Sequence, residues 1–218
     1  ERDYREDETV LELRNICGKG VHNVNIRLRR GEILGVAGLL GSGTIELSKI
    51  VYGALPMDSG EIYINGEKKD CSSPKKALKA GIGFVSDDRK QEGLVLIRNI
   101  RENVSLSSLD KITHFIHLDK KLETKRINAQ VKRLNIKISS LQQLAGKLSG
   151  GNQQKVVFAK VLEANPSILI LDEPTNHLDI TSKEILESAL CRYTGTVLYV
   201  SHDRYFINRT ATRILDLT

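Results

Sequence analysis

Residues 148–154 read Leu-Ser-Gly-Gly-Asn-Gln-Gln, and residues 168–173 read Ile-Leu-Ile-Leu-Asp-Glu. A serine and two glycines at a helix start let a phosphate come close to the unpaired backbone N–H groups there. Four aliphatic residues in a row predict a buried strand. A carboxylate at the end of that strand, here Asp172, can orient a metal ion on a phosphate, and Glu173 beside it can hold a water molecule. Together the two stretches predict a site for a nucleotide phosphate.

Apolar strands alternate with helical patterns along the chain. Strands are predicted at 33–37, 82–85, 168–171 and 196–200. Helices are predicted at 44–51, at 75–80 after Pro74, from 151 toward 163, and from 181, where Thr-Ser-Lys-Glu forms a capping box. This alternation predicts an α/β fold with a mostly parallel core sheet covered on both faces. Alternating apolar and polar residues at 24–29 add a small antiparallel β layer.

One domain with an inserted subdomain accounts for the chain, because 218 residues suffice for one sizeable core. Residues 1–8 are predicted to be a linker and residues 9–218 the domain. About 93–146 shows helical spacing of apolar residues, clearest from Leu118 onward, and is predicted to be a helical subdomain. Because the chain begins with Glu1 rather than Met, we expect a fragment cut from a longer protein.

Composition narrows the functions that the chain can have. With 40% hydrophobic and 28% charged residues it is typical of a globular domain, and no apolar run approaches the length of a membrane span. The net charge of +6 is spread along the chain, and the aromatic residues are six Tyr and four Phe, so no DNA-binding surface is predicted. The three cysteines lack metal-ligand spacing, which favours reduced thiols.

A second glycine-rich segment, Gly-Leu-Leu-Gly-Ser-Gly at 38–43, follows an apolar strand and precedes a helix. This position is typical of a phosphate loop, although a tight strand–helix turn can look the same. The full pattern is G-x-x-x-x-G-K-[ST], but Thr44 stands at the lysine position and Ile45 at the hydroxyl position. The loop therefore lacks the usual cation for the β/γ-phosphates and a metal ligand. The candidate phosphate-binding residues are Gly38, Gly41, Ser42, Gly43 and Thr44.

A histidine follows the last predicted apolar strand, in the run Ser201-His202-Asp203-Arg204. His202 comes 30 residues after Asp172. A residue at the carboxyl end of a strand lies where an α/β sheet collects its ligands. His202 is therefore a candidate ligand-contacting residue.

These motifs, in this order, resemble those of ATP-binding-cassette (ABC) ATPase domains. Residues 148–154 resemble the signature loop, 168–173 the Walker B strand, 176–179 the D-loop, and His202 the switch histidine. The resemblance implies ATP and Mg2+ as cofactors. It also implies that Asp172 orients magnesium, that Glu173 polarises the attacking water, and that His202 contacts the γ-phosphate.

The same resemblance implies a partner cassette. In this family the signature loop, here Ser149, Gly150 and Gly151, acts in trans on the nucleotide of another cassette, and the D-loop with Asp179 crosses to that partner. Two departures stand out. No aromatic residue occurs between Tyr4 and Tyr52 to stack on adenine. Asp87 occupies the place of the Q-loop glutamine, and we assign the Asp87 carboxylate to the metal site.

Different parts of the chain resemble two different branches of this family. Residues 9–175, with Asp-Asp-Arg-Lys at 87–90 and Gly-Gly-Asn-Gln-Gln-Lys at 150–155, resemble the second cassette of ribose- and galactose-type sugar importer ATPases. That cassette is commonly degenerate at the Walker A lysine and the Q-loop. Residues 176–218, with His-Asp-Arg-Tyr-Phe at 202–206, resemble the ribosome-associated ABC-F ATPases. We interpret the chain as a patchwork, natural or engineered, joined near Thr175.

The resemblance implies three functions that remain open at this stage. The first is a cytoplasmic cassette at the inner face of the cell membrane that drives sugar import through membrane permease subunits. The second is a soluble, ribosome-bound ATPase of the ABC-F type. The third is a non-hydrolytic half of a tandem cassette. We expect the first and third to be combined, with weak ATP affinity and little ATP turnover by this chain alone.

Overall fold

The computed structural model describes residues 4–38, 42–114, 117–176 and 178–217. Its strands are β1 (Arg5–Gly18), β2 (Val21–Arg30), β3 (Ile33–Gly38), β4 (Met57–Ile64), β5 (Glu67–Lys68), β6 (Ile82–Val85), β7 (Thr113–His114), β8 (His117–Leu118), β9 (Ile168–Asp172), β10 (Thr196–Val200) and β11 (Arg213–Leu217). Its α-helices are α1 (Thr44–Tyr52), α2 (Pro74–Lys79), α3 (Ile100–Ser105), α4 (Lys120–Arg133), α5 (Gly150–Glu163), α6 (Ile180–Cys191) and α7 (Arg204–Thr210). The predicted α/β fold is confirmed.

The central sheet has the strand order β11-β3-β10-β9-β6, and its pairs β11–β3, β3–β10 and β10–β9 are parallel. Strands β9 and β10 are buried along their whole length, as expected for strands that are apolar on both faces. Val200 of β10 lies opposite both Val36 of β3 and Asp172 of β9. The carboxyl ends of these three strands are therefore aligned, and the residues that follow them lie at the same edge of the sheet.

A smaller antiparallel sheet has the order β2-β1-β4-β5 and confirms the predicted β layer. Its β4–β5 hairpin turns at Asn65 and Gly66, which have φ values of 50° and 79°. Both values are left-handed, as a two-residue hairpin turn of this kind requires. Apolar residues of both sheets and of α1, such as Leu11, Val36 and Ile50, form one buried core.

The chain divides into two compact units. The first contains residues 1–84, 166–175 and 190–218, and the second contains 85–165 and 176–189. In the second unit, Arg126 and Gln130 of α4 both donate to the buried carboxylate of Glu163 in α5, which joins the two helices. No helix among the described residues is both long and apolar enough to cross a membrane.

Three local features differ from the sequence-based expectations. Strand β1 begins at Arg5 and so includes residues 5–8, which the sequence assigned to a linker. Leu118 lies in β8, before α4, and not in the helix. Helix α6 begins at Ile180, because the Asp179 side chain accepts the N–H of Ser182 at 2.7 Å, so Asp179 and not Thr181 caps it. The limits of the helical subdomain stay a prediction.

Candidate functional site

The phosphate loop leads from β3 into α1. Gly41 and residues 39–40 lie outside the described residues. Gly43 is the N-cap of α1 with φ 82° and no side-chain cap, a conformation that glycine adopts without strain. The hydroxyl oxygen of Ser42 is buried and has no hydrogen-bond partner among the described residues. Thr44 is only 3% exposed, so a short buried side chain occupies the first helical position.

The acidic residues at the end of β9 and the histidine after β10 lie together in the first unit. Asp172 is fully buried at the end of β9. The Glu173 carboxylate accepts the backbone N–H of His202 at 3.3 Å, and its other oxygen lies 3.2 Å from Nε2 of the same residue. The Glu173 side chain is 7% exposed and that of His202 is 40% exposed. A buried carboxylate is thus held by a histidine that reaches solvent.

The backbone at Glu173 contributes to this arrangement. Its φ of 39° lies in the left-handed region, which costs a residue with a side chain about 1–3 kcal/mol. The Glu173 N–H donates to the carbonyl of Val200 at 3.0 Å, which ties this backbone to the end of β10. The strand pairing therefore holds the carboxylate beside His202.

The signature loop in the second unit begins α5. Ser149 is the N-cap, but its hydroxyl makes no cap bond to the helix and instead accepts Nδ2 of Asn152 at 3.1 Å. Asn152 Oδ1 in turn accepts the N–H of Lys137 at 2.9 Å. The N–H groups at the start of α5 thus have no side-chain cap, which suits an anion.

Arg89 supports this loop, and sequence reasoning missed its role. Its Nε donates to Oε1 of the buried Gln153 at 3.3 Å, and Gln153 donates to the carbonyl of Ala145 at 3.2 Å. A Cβ at Gly150 would lie 2.9 Å from Nη2 of Arg89. Arg89 belongs to the Asp-Asp-Arg-Lys run, but its partner Gln153 lies 64 residues further along the chain, so no local pattern pointed to the contact.

Asp179 and Asp87, both predicted site residues, lie in the second unit. Backbone and side-chain hydrogen bonds from Ser182 hold the pKa of Asp179 below its ordinary value. A Cβ at Gly151 would lie 3.0 Å from the Ser182 hydroxyl, so this cap sits against the signature loop. Asp87 follows β6, and its carboxylate accepts the Ser86 hydroxyl at 3.5 Å. No group of three or more potential metal ligands occurs within the described ranges.

Replacing Asp179 by asparagine tests the charge at this cap, since asparagine is also a good N-cap. The lowered folded-state pKa means that the carboxylate stabilises the fold above the ordinary aspartate pKa of about 3.9, and that this contribution disappears as the pH falls through the folded-state value. We expect the wild type to be more stable than Asp179→Asn near pH 7 and the difference to shrink as the pH falls below the ordinary aspartate pKa of about 3.9. Urea unfolding across this range measures it.

The control for this pH series is Asp58→Asn, at an exposed carboxylate of β4 without an ion pair in the described part of the chain. We expect this variant to follow the wild type at every pH. A stability difference for Asp179→Asn that does not change with pH would show that the cap acts without its charge.

The sheet, the glycine loop after β3 and the acidic end of β9 define a P-loop nucleotide-binding fold of the cassette type. The sequence model of the family described as ABC transporter matches residues 21–176, and the chain belongs to this family. The resemblance stated from the motifs is thereby confirmed. The join near Thr175 and the roles of individual site residues stay predictions.

Among curated relatives, the ribose import ATP-binding protein RbsA of Bacillus cereus is 43% identical over 195 residues, which cover 89% of this chain and 39% of that protein. The protein of the same name from Clostridium tetani is 43% identical over 189 residues, 85% of this chain and 37% of the relative. This chain therefore spans about two fifths of the length of these relatives. A dimeric structure of MJ0796, a bacterial ABC transporter cassette, superposes with a TM-score of 0.79 at 26% identity and covers 94% of this chain and 93% of that one.

Proposed function

We propose that this chain is an ATP-binding cassette that couples ATP binding and hydrolysis to sugar import, with a degenerate phosphate loop of its own and a signature loop that serves a partner cassette. One observation carries the proposal. The chain combines an assembled Glu173–His202 pair and an uncapped signature helix with a phosphate loop in which the buried Thr44 replaces lysine. Such a cassette contributes its signature loop to hydrolysis of the nucleotide on a partner cassette, and it hydrolyses little nucleotide in its own phosphate loop.

The residues of the first unit fit ATP well and Mg2+ in part. The buried, unpartnered hydroxyl of Ser42 and the N-terminus of α1 after Gly43 suit a phosphate. The buried carboxylate of Asp172 suits Mg2+, whereas the aliphatic Ile45 cannot coordinate it. Bound Mg2+ would neutralise charge on the β/γ-phosphates. Asp87 lies in the second unit, and its assignment to the metal site stays a prediction.

Each remaining site residue has a proposed role. Glu173 polarises the attacking water, and its carboxylate accepts the backbone N–H of His202 at 3.3 Å. The His202 side chain contacts the γ-phosphate and the same water. Ser149, Gly150 and Gly151 present the uncapped N–H groups of α5 to the phosphates of a nucleotide on the partner. Asp179 caps α6 beside that loop. In this arrangement the partner is another ABC cassette, in tandem or as a dimer.

Sugar import is proposed from the relatives. The curated proteins named above are ribose import ATP-binding proteins. Membrane permease subunits are the partners that the resemblance to importer cassettes implies. The corresponding location is cytoplasmic, peripheral to the inner face of the cell membrane. The resemblance of residues 176–218 to ABC-F ATPases supports the alternative, a ribosome-associated ATPase. Co-purification of the chain with ribosomes instead of membrane permeases would favour that alternative.

Restoring the phosphate loop tests the proposal. We expect the unmodified chain to bind ATP weakly with little phosphate release, because no lysine follows Gly43. The double variant Thr44→Lys, Ile45→Thr regains the missing cation and hydroxyl, and we expect its ATP affinity to rise about tenfold, or about 1.4 kcal/mol. Calorimetric ATP titration in the presence of Mg2+ and a phosphate-release assay measure both properties.

Gln142→Lys, which adds the same charge at an exposed position, is the matched control and should leave the affinity unchanged. Brisk ATP hydrolysis by the unmodified chain, abolished by Glu173→Gln, would contradict the degenerate site. Absence of ATP binding by both the unmodified chain and the restored variant would contradict the cassette function itself.

A further inference from the structure

The turn between β1 and β2, Lys19-Gly20, lies directly against the phosphate loop. A Cβ added at Gly43 would lie 2.2 Å from the carbonyl oxygen of Gly20 and 3.4 Å from Cγ2 of Val21. On the other side of the turn, a Cβ at Gly18 would lie 2.6 Å from Cδ1 of Ile50 in α1. The β1–β2 turn is therefore packed on α1 and touches the residue that caps this helix.

Lys19 stands at the tip of this turn. Its side chain is exposed and makes no ion pair or hydrogen bond within the described part of the chain. Because consecutive Cα atoms are about 3.8 Å apart, the Cα of Lys19 lies within roughly 8 Å of the Cβ position at Gly43. The flexible four-carbon stem of lysine spans most of such a distance, which allows the ammonium group to approach a phosphate bound at the N-terminus of α1.

The first turn of α1 contains no lysine or arginine. Thr44 occupies the position of the usual lysine, and the first turn of α1 carries the acidic Glu46. Lys49 lies in the last turn, about 7.5 Å from Thr44 along the helix axis at 1.5 Å per residue. The buried hydroxyl of Ser42, which has no hydrogen-bond partner among the described residues, marks the same end of the helix as open to a polar ligand.

We propose that Lys19 of the β1–β2 turn supplies, from outside the loop, the positive charge for nucleotide β- and γ-phosphates that the phosphate loop lost at position 44. The inference rests on the proposed nucleotide site. The relocated cation is held less rigidly than a lysine within α1, because it stands on an exposed turn. Lys19 therefore contributes to phosphate binding, while the missing hydroxyl at position 45 still limits hydrolysis.

The test compares ATP and AMP binding by the full chain and its variants in calorimetric titrations with Mg2+. We expect Lys19→Ala to weaken ATP binding about tenfold, the size of one charge-assisted hydrogen bond, and to leave AMP binding unchanged. Lys19→Arg should keep most of the ATP affinity. Lys75→Ala, at an exposed lysine of α2, is the matched control and should bind ATP as the wild type does. Equal urea midpoints for all variants exclude an effect through folding.

A second background separates this inference from the proposed function. In the Thr44→Lys variant the loop carries its own cation, so Lys19→Ala should then change ATP affinity less than twofold. If the wild type binds ATP and Lys19→Ala binds it equally well, the role of Lys19 is wrong and the nucleotide site stands. If Thr44→Lys binds ATP and the wild type does not, the role of Lys19 is again wrong and the nucleotide site again stands. If neither the wild type nor Thr44→Lys binds ATP, the nucleotide site itself is wrong.

Discussion

Replacing Arg213 by alanine is expected to lower the free energy of unfolding by about 3 kcal/mol. The carboxylate of Glu32 is fully buried, and Arg213 binds it through two nitrogens, with Nε 2.5 Å from Oε1 and Nη2 3.2 Å from Oε2. Without Arg213, the N–H of Arg29 at 2.7 Å is the remaining donor to this carboxylate within the described part of the chain. We expect the low end of the range for broken buried pairs, because the Arg213 side chain is 41% exposed. Urea unfolding followed by circular dichroism measures the change.

Two further variants define the cause of this destabilisation. The double variant Glu32→Gln, Arg213→Ala removes the buried charge that Arg213→Ala leaves unpaired, and should regain part of the lost free energy of unfolding. Lys68→Ala breaks an ion pair with Glu61 in which both side chains are largely exposed, and should cost less than about 1 kcal/mol. An Arg213→Ala effect as small as that of Lys68→Ala would show that the Glu32 carboxylate is solvated in the folded state.

Gly43→Ala is expected to lower the free energy of unfolding by about 3 kcal/mol, from two additive causes. A side chain at φ 82° costs about 1–2 kcal/mol. The new Cβ would also lie 2.2 Å from the Gly20 carbonyl oxygen, a backbone atom, so the β1–β2 turn or α1 must move. Overpacking of this kind costs about 1–3 kcal/mol. Urea unfolding measures the loss, and ATP titration should show a weakened phosphate site.

Gly66→Ala is the matched control for the steric part. Gly66 has φ 79°, close to that of Gly43, but a Cβ there would meet nothing within 4 Å. We therefore expect Gly66→Ala to cost only the conformational part, about 1–2 kcal/mol. An equal loss in the free energy of unfolding for the two variants would mean that the β1–β2 turn moves away from Gly43 at no measurable cost. The geometric basis for the role of Lys19 would then be weaker.

Local chemistry explains the features that were predictable from sequence. Apolar runs such as 168–171 are buried strands because no polar side chain in them needs water. Pro74 begins α2 because its missing N–H is not needed in a first turn. The Asn65–Gly66 turn forms because both residues tolerate positive φ. The start of α6 was misplaced because Asp179 and Thr181 are both good caps, and only the course of the backbone before the helix selects between them.

The sequence by itself determined the cassette class: the signature loop, the acidic end of a buried strand, and the loss of lysine at position 44 are local patterns of residue type and spacing. Tertiary structure alone decided which of these groups meet. Glu173 and His202 lie 29 residues apart and touch because β9 and β10 pair in register. Arg213 reaches Glu32 across 181 residues. Lys19 stands beside the phosphate loop because the β1–β2 turn packs on Gly43. Such contacts depend on strand register and packing, which a one-dimensional pattern does not contain.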